Sequence, residues 1–284
     1  MEQTQTLPSP VVSHFSEKDK GYGNNLYRGP LEALPRPEVF NLEAAIEMMY
    51  TEGYCIVPNV PNREEVAELK QVIDTSGGPD EQYNVKHWCF NKHLGTEFHK
   101  DPRLLKYATL PGVYDVMSAI HAPAARVTGG TFWVTGPGRE MGIHVDWMPC
   151  TLPEAYASDP NTKIPIFKST AHIYLNDMVP ELGPTTIIPG SHKSGRAPNN
   201  EPTWNGITPK AVMVKAGDVM IFRTEVWHGA WKNSAAQDSR RYMMQIFYGH
   251  PIMSNGIPPL RYESYWNPEC LKALTPAQKK AFGG

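Results

Sequence analysis

Residues 126–148 read RVTGGTFWVTGPGREMGIHVDWM. Thr131–Val134 is β-branched and aromatic, Gly136-Pro137-Gly138 is a turn, and Met141-Gly142-Ile143-His144-Val145-Asp146-Trp147 is a second short extended segment. The same texture recurs downstream. Short runs at Ile143–Trp147, Ile164–Leu175, Thr185–Ile188, Ala211–Val214, Val219–Phe222 and Tyr242–Tyr248 alternate with Gly, Pro and Asn turns. Many short strands at this spacing predict an antiparallel barrel or jelly roll.

Upstream the pattern is helical. Asn41 caps a segment running through Met49 that ends near Gly53, and Tyr54–Val57 reads as a strand. Asn62-Arg63-Glu64-Glu65 resembles a capping box, predicting a helix to about Ile73 closed by Gly77-Gly78. Two short helical pieces follow Asp101 and Pro111, and Pro268 to Phe282 predicts a short C-terminal helix. Lys86-His87-Trp88 reads as a surface loop. Residues 1–40 are polar and proline-rich, which suits an arm. No repeat or linker divides the rest, so one domain over 41–284 is expected, with its β core at about 126–249. The fold class expected is mainly β with flanking helices.

The chain has 284 residues, 40% hydrophobic and 20% charged, with a formal net charge of -2. That balance gives no electrostatic case for nucleic acid or an anionic membrane. No apolar run approaches the roughly 18–20 residues needed to span a bilayer. The start, MEQTQTLPSPVVSHF, lacks a basic and hydrophobic leader, so a cytoplasmic location is expected. Cys55, Cys89, Cys150 and Cys270 form no C-x-x-C, which argues against a zinc ribbon or disulfide framework. Cys150 reads as a small buried hydrophobe.

His144-Val145-Asp146 and the distant His228 stand out within the β-rich part. Residues i and i+2 of a strand share a face, so His144 and Asp146 can reach one metal while a second strand brings His228. Two imidazoles and one carboxylate are the facial triad that holds Fe(II) with open positions. The short motif alone is weak. With 10 histidines in the chain, chance gives a His-x-Asp in roughly a third of such sequences. A second one, His99-Lys100-Asp101, precedes Pro102 and reads instead as a helix start.

What strengthens the triad is the ordered set behind it. Gly183-Pro184-Thr185-Thr186-Ile187-Ile188-Pro189-Gly190-Ser191-His192 is followed by Gly217-Asp218, then Trp227-His228-Gly229, Asn233 and Arg240-Arg241. From about Arg126 to Gly249 the chain resembles the phytanoyl-CoA dioxygenase family of Fe(II)- and 2-oxoglutarate-dependent oxygenases. The resemblance implies a double-stranded β-helix, with His144, Asp146 and His228 on Fe(II) and 2-oxoglutarate and O2 as cosubstrates. It implies oxidation of an unactivated C–H bond, by hydroxylation or a related radical outcome, with succinate and CO2 as co-products. An arginine beyond the distal histidine would bind the far carboxylate of 2-oxoglutarate. Arg240 is nearer the family spacing than Arg241 and is the first choice. Thr185 matches a threonine that contacts the cosubstrate, and Asp146 argues against halogenation. Val145 stands where many relatives carry glutamine.

Other residues stay open at this point. His192 supports its turn, while His172 fits either the core or a pocket wall. Trp133, Trp147 and Trp231 suit packing, and Trp147 also suits a substrate pocket beside Asp146. Phe132-Trp133, Trp147-Met148 and Met243-Met244 fit an apolar pocket for a small or mid-sized metabolite, of the kind met in specialised metabolism. The alternatives are a 2-oxoglutarate-independent metal enzyme on the same fold and a non-catalytic binding protein. Oligomeric state is not legible.

Overall fold

The caps expected from residue type form. Asn41 accepts from the Ala44 amide and opens α1 (Leu42–Thr51). Asn62 and Glu65 make a reciprocal capping box on α2 (Arg63–Thr75). The computed structural model describes residues 25–77, 90–121, 125–253 and 256–284. Residues 1–24, Gly78, Lys86-His87-Trp88 and Cys89 lie outside the described residues.

The strands are β1 (Glu32–Ala33), β2 (Tyr54–Val57), β3 (Lys92–Gly95), β4 (Arg126–Thr135), β5 (Met141–His144), β6 (Lys168–Tyr174), β7 (Thr185–Ile187), β8 (Lys210–Ala211), β9 (Val219–Arg223), β10 (His228–Ala230) and β11 (Arg241–Gly249). They form a five-stranded sheet, β1-β8-β7-β10-β5, and a six-stranded sheet, β2-β9-β6-β11-β4-β3. All pairings are antiparallel except β1 with β8. The two sheets make the expected jelly roll, a cupin-like double-stranded β-helix.

Alternation along the strands separates two cores. Inward, Tyr174, Met220, Phe222 and Met243 of the six-stranded sheet cluster with Ile187, Val212 and Val226 from the other side. Outward, Ala171, Ile173, Val219, Ile221, Met244 and Ile246 join a larger cluster with Met49, Leu69, Val72 and Ile73 of α1 and α2. Val113, Val116 and Met117 of α3 (Val113–Ile120) belong to the same outer cluster.

Several local expectations change. The strand expected over Ile143–Trp147 ends at His144, and Asp146 lies in the following loop. β3 and β10 escape periodicity because each is so short. The C-terminal helix is two helices, Pro268–Ala273 and Pro276–Ala281, because Thr275 leaves helical geometry to cap the second. Cys150 is exposed rather than buried, since it follows Asp146 into a loop. The described part of the arm is docked. Leu34 is buried in the inward core, and Arg36 makes a bidentate bond to the fully buried Asp218, at 2.6 and 2.9 Å.

Candidate metal centre

β5 and β10 pair with His144 directly opposite His228. Cross-strand partners project to the same side, so the two imidazoles meet, with ring centroids 4.2 Å apart. The close approach needs Gly229, where an added Cβ would come within 2.7 Å of the Met141 carbonyl oxygen. Each histidine donates Nδ1–H to a backbone carbonyl two residues earlier, His144 to Gly142 at 2.8 Å and His228 to Val226 at 3.0 Å. With Nδ1 engaged in this way, Nε2 is the ring nitrogen that each histidine turns toward the other ligands.

Asp146 joins them from the loop after β5. Its amide donates to the Thr224 carbonyl at 3.0 Å, in the turn that leads to His228. One side-chain oxygen accepts from Thr170 Oγ1 at 3.3 Å, and the other lies 3.4 Å from His228 Nε2 and 3.9 Å from His144 Nε2. Ligand atoms of the three residues all lie within 4.8 Å of one another. Among the described residues they are the one cluster of His, Cys, Asp and Glu able to hold a metal ion. The donor set, the inward Nε2 atoms and the reach of Asp146 fit a 2-His-1-carboxylate site. His99, of the second His-x-Asp, instead packs edge-on against Trp266, and Asp101 caps its helix.

Further along the inward face lies a cation. Arg241, the first residue of β11, is 3% exposed; it donates through Nη1 to the Gly183 carbonyl and through Nη2 to Thr135 Oγ1. Gly183 holds φ +66 and lies so close to Trp231 and Asn233 that a side chain there would collide with backbone. Two residues on, Thr185 starts β7, is 4% exposed and lies beside Tyr174. Arg240 precedes the strand and is half-buried.

The family model described as Phytanoyl-CoA dioxygenase (PhyH) matches residues 49–242, more than half of the 284-residue chain. The chain belongs to that family. Fe(II) is its metal, and 2-oxoglutarate and O2 are its cosubstrates. Solved structures share the fold at low identity. The nickel and 2-oxoglutarate complex of HygX from Streptomyces hygroscopicus has a TM-score of 0.59 at 17% identity, covering 78% of this chain and 90% of that one. The non-heme alpha ketoglutarate dependent carbocyclase SnoK gives 0.58 at 21%, covering 82% and 95%. The epimerase SnoN, with Fe3+, alpha ketoglutarate and nogalamycin RO, gives 0.54 at 19%, covering 74% and 83%. Comparison with curated protein sequences finds no match.

Electrostatics prepare this dioxygenase-family site for a cation. Burial pulls the Asp146 carboxyl upward, but the charge and hydrogen bond of His228, with His144 and His172, outweigh it and hold the pKa well below the ordinary range. Burial, aided by His228, pushes His144 down to about 3. Burial also opposes a charged His228, yet Asp146 prevails and raises its pKa. The carboxylate and the His144 imidazole are thus held in the form a metal binds, while at His228 a metal competes with the proton that Asp146 favours.

Three positioning residues escaped sequence reading. Thr170 holds Asp146, the Thr224 carbonyl anchors its backbone, and Ser191 Oγ accepts from the Trp227 amide at 2.8 Å, one residue before His228. Two act through a hydroxyl and one through its backbone carbonyl, roles that residue type alone does not reveal. His172 faces inward, 2% exposed, and among the described residues neither ring nitrogen has a hydrogen-bond partner. Burial depresses its pKa to about 3. Trp147 is half-buried on the Asp146 loop, its amide turned to the Thr224 carbonyl. His192 braces its turn by bonding the Tyr50 carbonyl at 3.1 Å.

Proposed function

We propose that His144, Asp146 and His228 bind Fe(II), that Arg241 with Thr185 binds 2-oxoglutarate, and that the enzyme oxidises a C–H bond of a small or mid-sized metabolite. The observation that carries this reading is the meeting of the three ligand atoms on the face that also buries Arg241. Arg241 displaces Arg240 as the cosubstrate arginine because alternation on β11 sends the side chain of Arg241 inward, into the family-matched barrel. Guanidinium geometry suits a carboxylate better than a lysine would.

When bound, iron and 2-oxoglutarate supply the oxidising power, with O2 consumed and succinate and CO2 formed. The protein's part is binding and positioning. The Gly142 and Val226 carbonyls fix the histidine tautomers, and Thr170 fixes Asp146. Phe222, Met220 and Met243 line the interior and exclude water, which strengthens every polar contact inside. The apolar wall supports a metabolite substrate, as do the names of the fold neighbours, which include an epimerase, a carbocyclase and a complex with hygromycin B.

Anaerobic titration of metal-free protein with Fe(II) and then 2-oxoglutarate tests the assignment. A visible metal-to-ligand charge-transfer band is expected, and its loss in His144→Ala and Asp146→Ala. Iron binding without a band removes the 2-oxoglutarate assignment; absence of iron binding removes the triad.

A further inference from the structure

The inward face of β6 and β11 carries one cation at each end. The register pairs Tyr174 with Met243, His172 with Gln245, Thr170 with Phe247 and Lys168 with Gly249. Arg241 lies beyond the first of these rungs, at the closed end, where it and Tyr174 are fully enclosed. Lys168 lies at the other end, where both it and Phe247 are half-buried. Between them Thr170 bonds the proposed ligand Asp146. The metal centre is therefore bracketed by a buried guanidinium and a half-buried ammonium.

Only one of the two can take the far carboxylate of 2-oxoglutarate, and Arg241 in the closed end fits that task. Lys168, half-buried at the opposite end of the same face, is left for another anion. Its Nζ lies 5.0 Å above the Phe247 ring, which holds the stem in place. Among the described residues it makes no hydrogen bond or ion pair, although the Asp146 charge reaches it. A half-buried ammonium without a partner has lost hydration and gained no counter-charge. Metal binding engages Asp146 and leaves that ammonium less compensated still.

Building on the oxygenase reading above, we propose that Lys168 determines substrate specificity by binding a carboxylate on the substrate. A lone ammonium is a compact point charge, enough to bind one carboxylate.

Benzoate and its neutral analogue benzamide are the probes, titrated into the anaerobic Fe(II)·2-oxoglutarate form of the full chain. The charge-transfer band and tryptophan fluorescence report binding. Benzoate is expected to perturb the band at concentrations about tenfold lower than benzamide, the size of one charge-assisted contact. Lys168→Met, which keeps the stem over Phe247, should erase that preference while retaining the band. Lys168→Arg should keep the preference. Equal or absent responses to the two ligands in the wild type, or a preference that survives Lys168→Met, overturn the proposal. So does loss of the band on adding benzoate, which would place the anion at the 2-oxoglutarate site. Failure of the oxygenase reading is separate, since no band would form before either probe is added.

Discussion

The two faces of the six-stranded sheet are made from alternating residues of the same strands, yet they differ in physical character. Outward, Ala171, Ile173, Val219, Ile221, Met244 and Ile246 are apolar and enclosed by helices. Inward, the equally buried polar residues Thr170, His172, Tyr174, Arg241 and Gln245 interrupt the apolar Met220, Phe222 and Met243. Each buried aliphatic on the outer face contributes about 1.5–3 kcal/mol. Each buried group without a hydrogen bond, such as either His172 nitrogen, costs about 1–3 kcal/mol. The outer face therefore contributes more of the sheet's stability than the inner one, where polar groups are interleaved with the apolar residues. Stability and activity should separate along the same strand.

The most severe test of that separation is at the ligand. Asp146→Ala should lower turnover by about a thousandfold or more, the several kcal/mol a metal supplies. Its melting temperature should stay within about 2–4 °C of the wild type. A large fall in melting temperature would show that the metal side of the barrel carries stability after all. Ile173→Ala is the mirror experiment. It should cost about 2–5 kcal/mol in denaturant unfolding, while activity per folded molecule stays near wild type.

Arg241→Met and Arg240→Met probe the inward assignment. The first should raise the 2-oxoglutarate concentration for half-saturation by about tenfold to a hundredfold; the second should leave it nearly unchanged. The reverse result would return Arg240 to the site. Metal binding should also depend on pH. Because Asp146 raises the pKa of His228, the imidazole keeps its proton to a higher pH than usual. Fe(II) affinity, measured by chelator competition, should therefore fall by up to about tenfold per unit as pH drops through that raised pKa. In metal-free protein the sign is opposite. The stability from the His228–Asp146 pair is full below about 6.5, the ordinary histidine value, and is lost as pH rises through the folded pKa. The smallest effect expected is at His172. His172→Leu should be neutral or stabilising by about 1 kcal/mol in a thermal melt, while substrate turnover falls. A marked loss of stability would mean the ring is a packing element like its outward neighbours.

Much of the fold and of the candidate site is legible in residue order alone. The caps at Asn41, Asn62 and Asp101 are local events, settled by a side chain within three residues of the amide it serves. Strands β6, β9 and β11 announce themselves through length, and the four-residue β2 through its wholly apolar and aromatic Tyr54–Val57. His144, Asp146 and His228 stand out as candidates through residue type, order and family resemblance. The short β3 and β10 do not show, since three or four residues carry too little pattern.

Residue order thus sets the ligand types, the caps and the alternation that gives each strand two unlike faces. How those pieces meet is a matter of tertiary contact. Asp146 reaches the histidines from a loop, held by Thr224 and Thr170 rather than by strand periodicity. Arg241 rather than Arg240 turns inward because β11 begins at Arg241, paired with Thr135. Pairing with β11 also puts His172 opposite Gln245 and Lys168 opposite Gly249, at the far end of the inward face from Arg241. The difference is one of range. A cap or a strand period is satisfied within a few residues, whereas register, facing and burial are set by hydrogen bonds to strands far away in the chain.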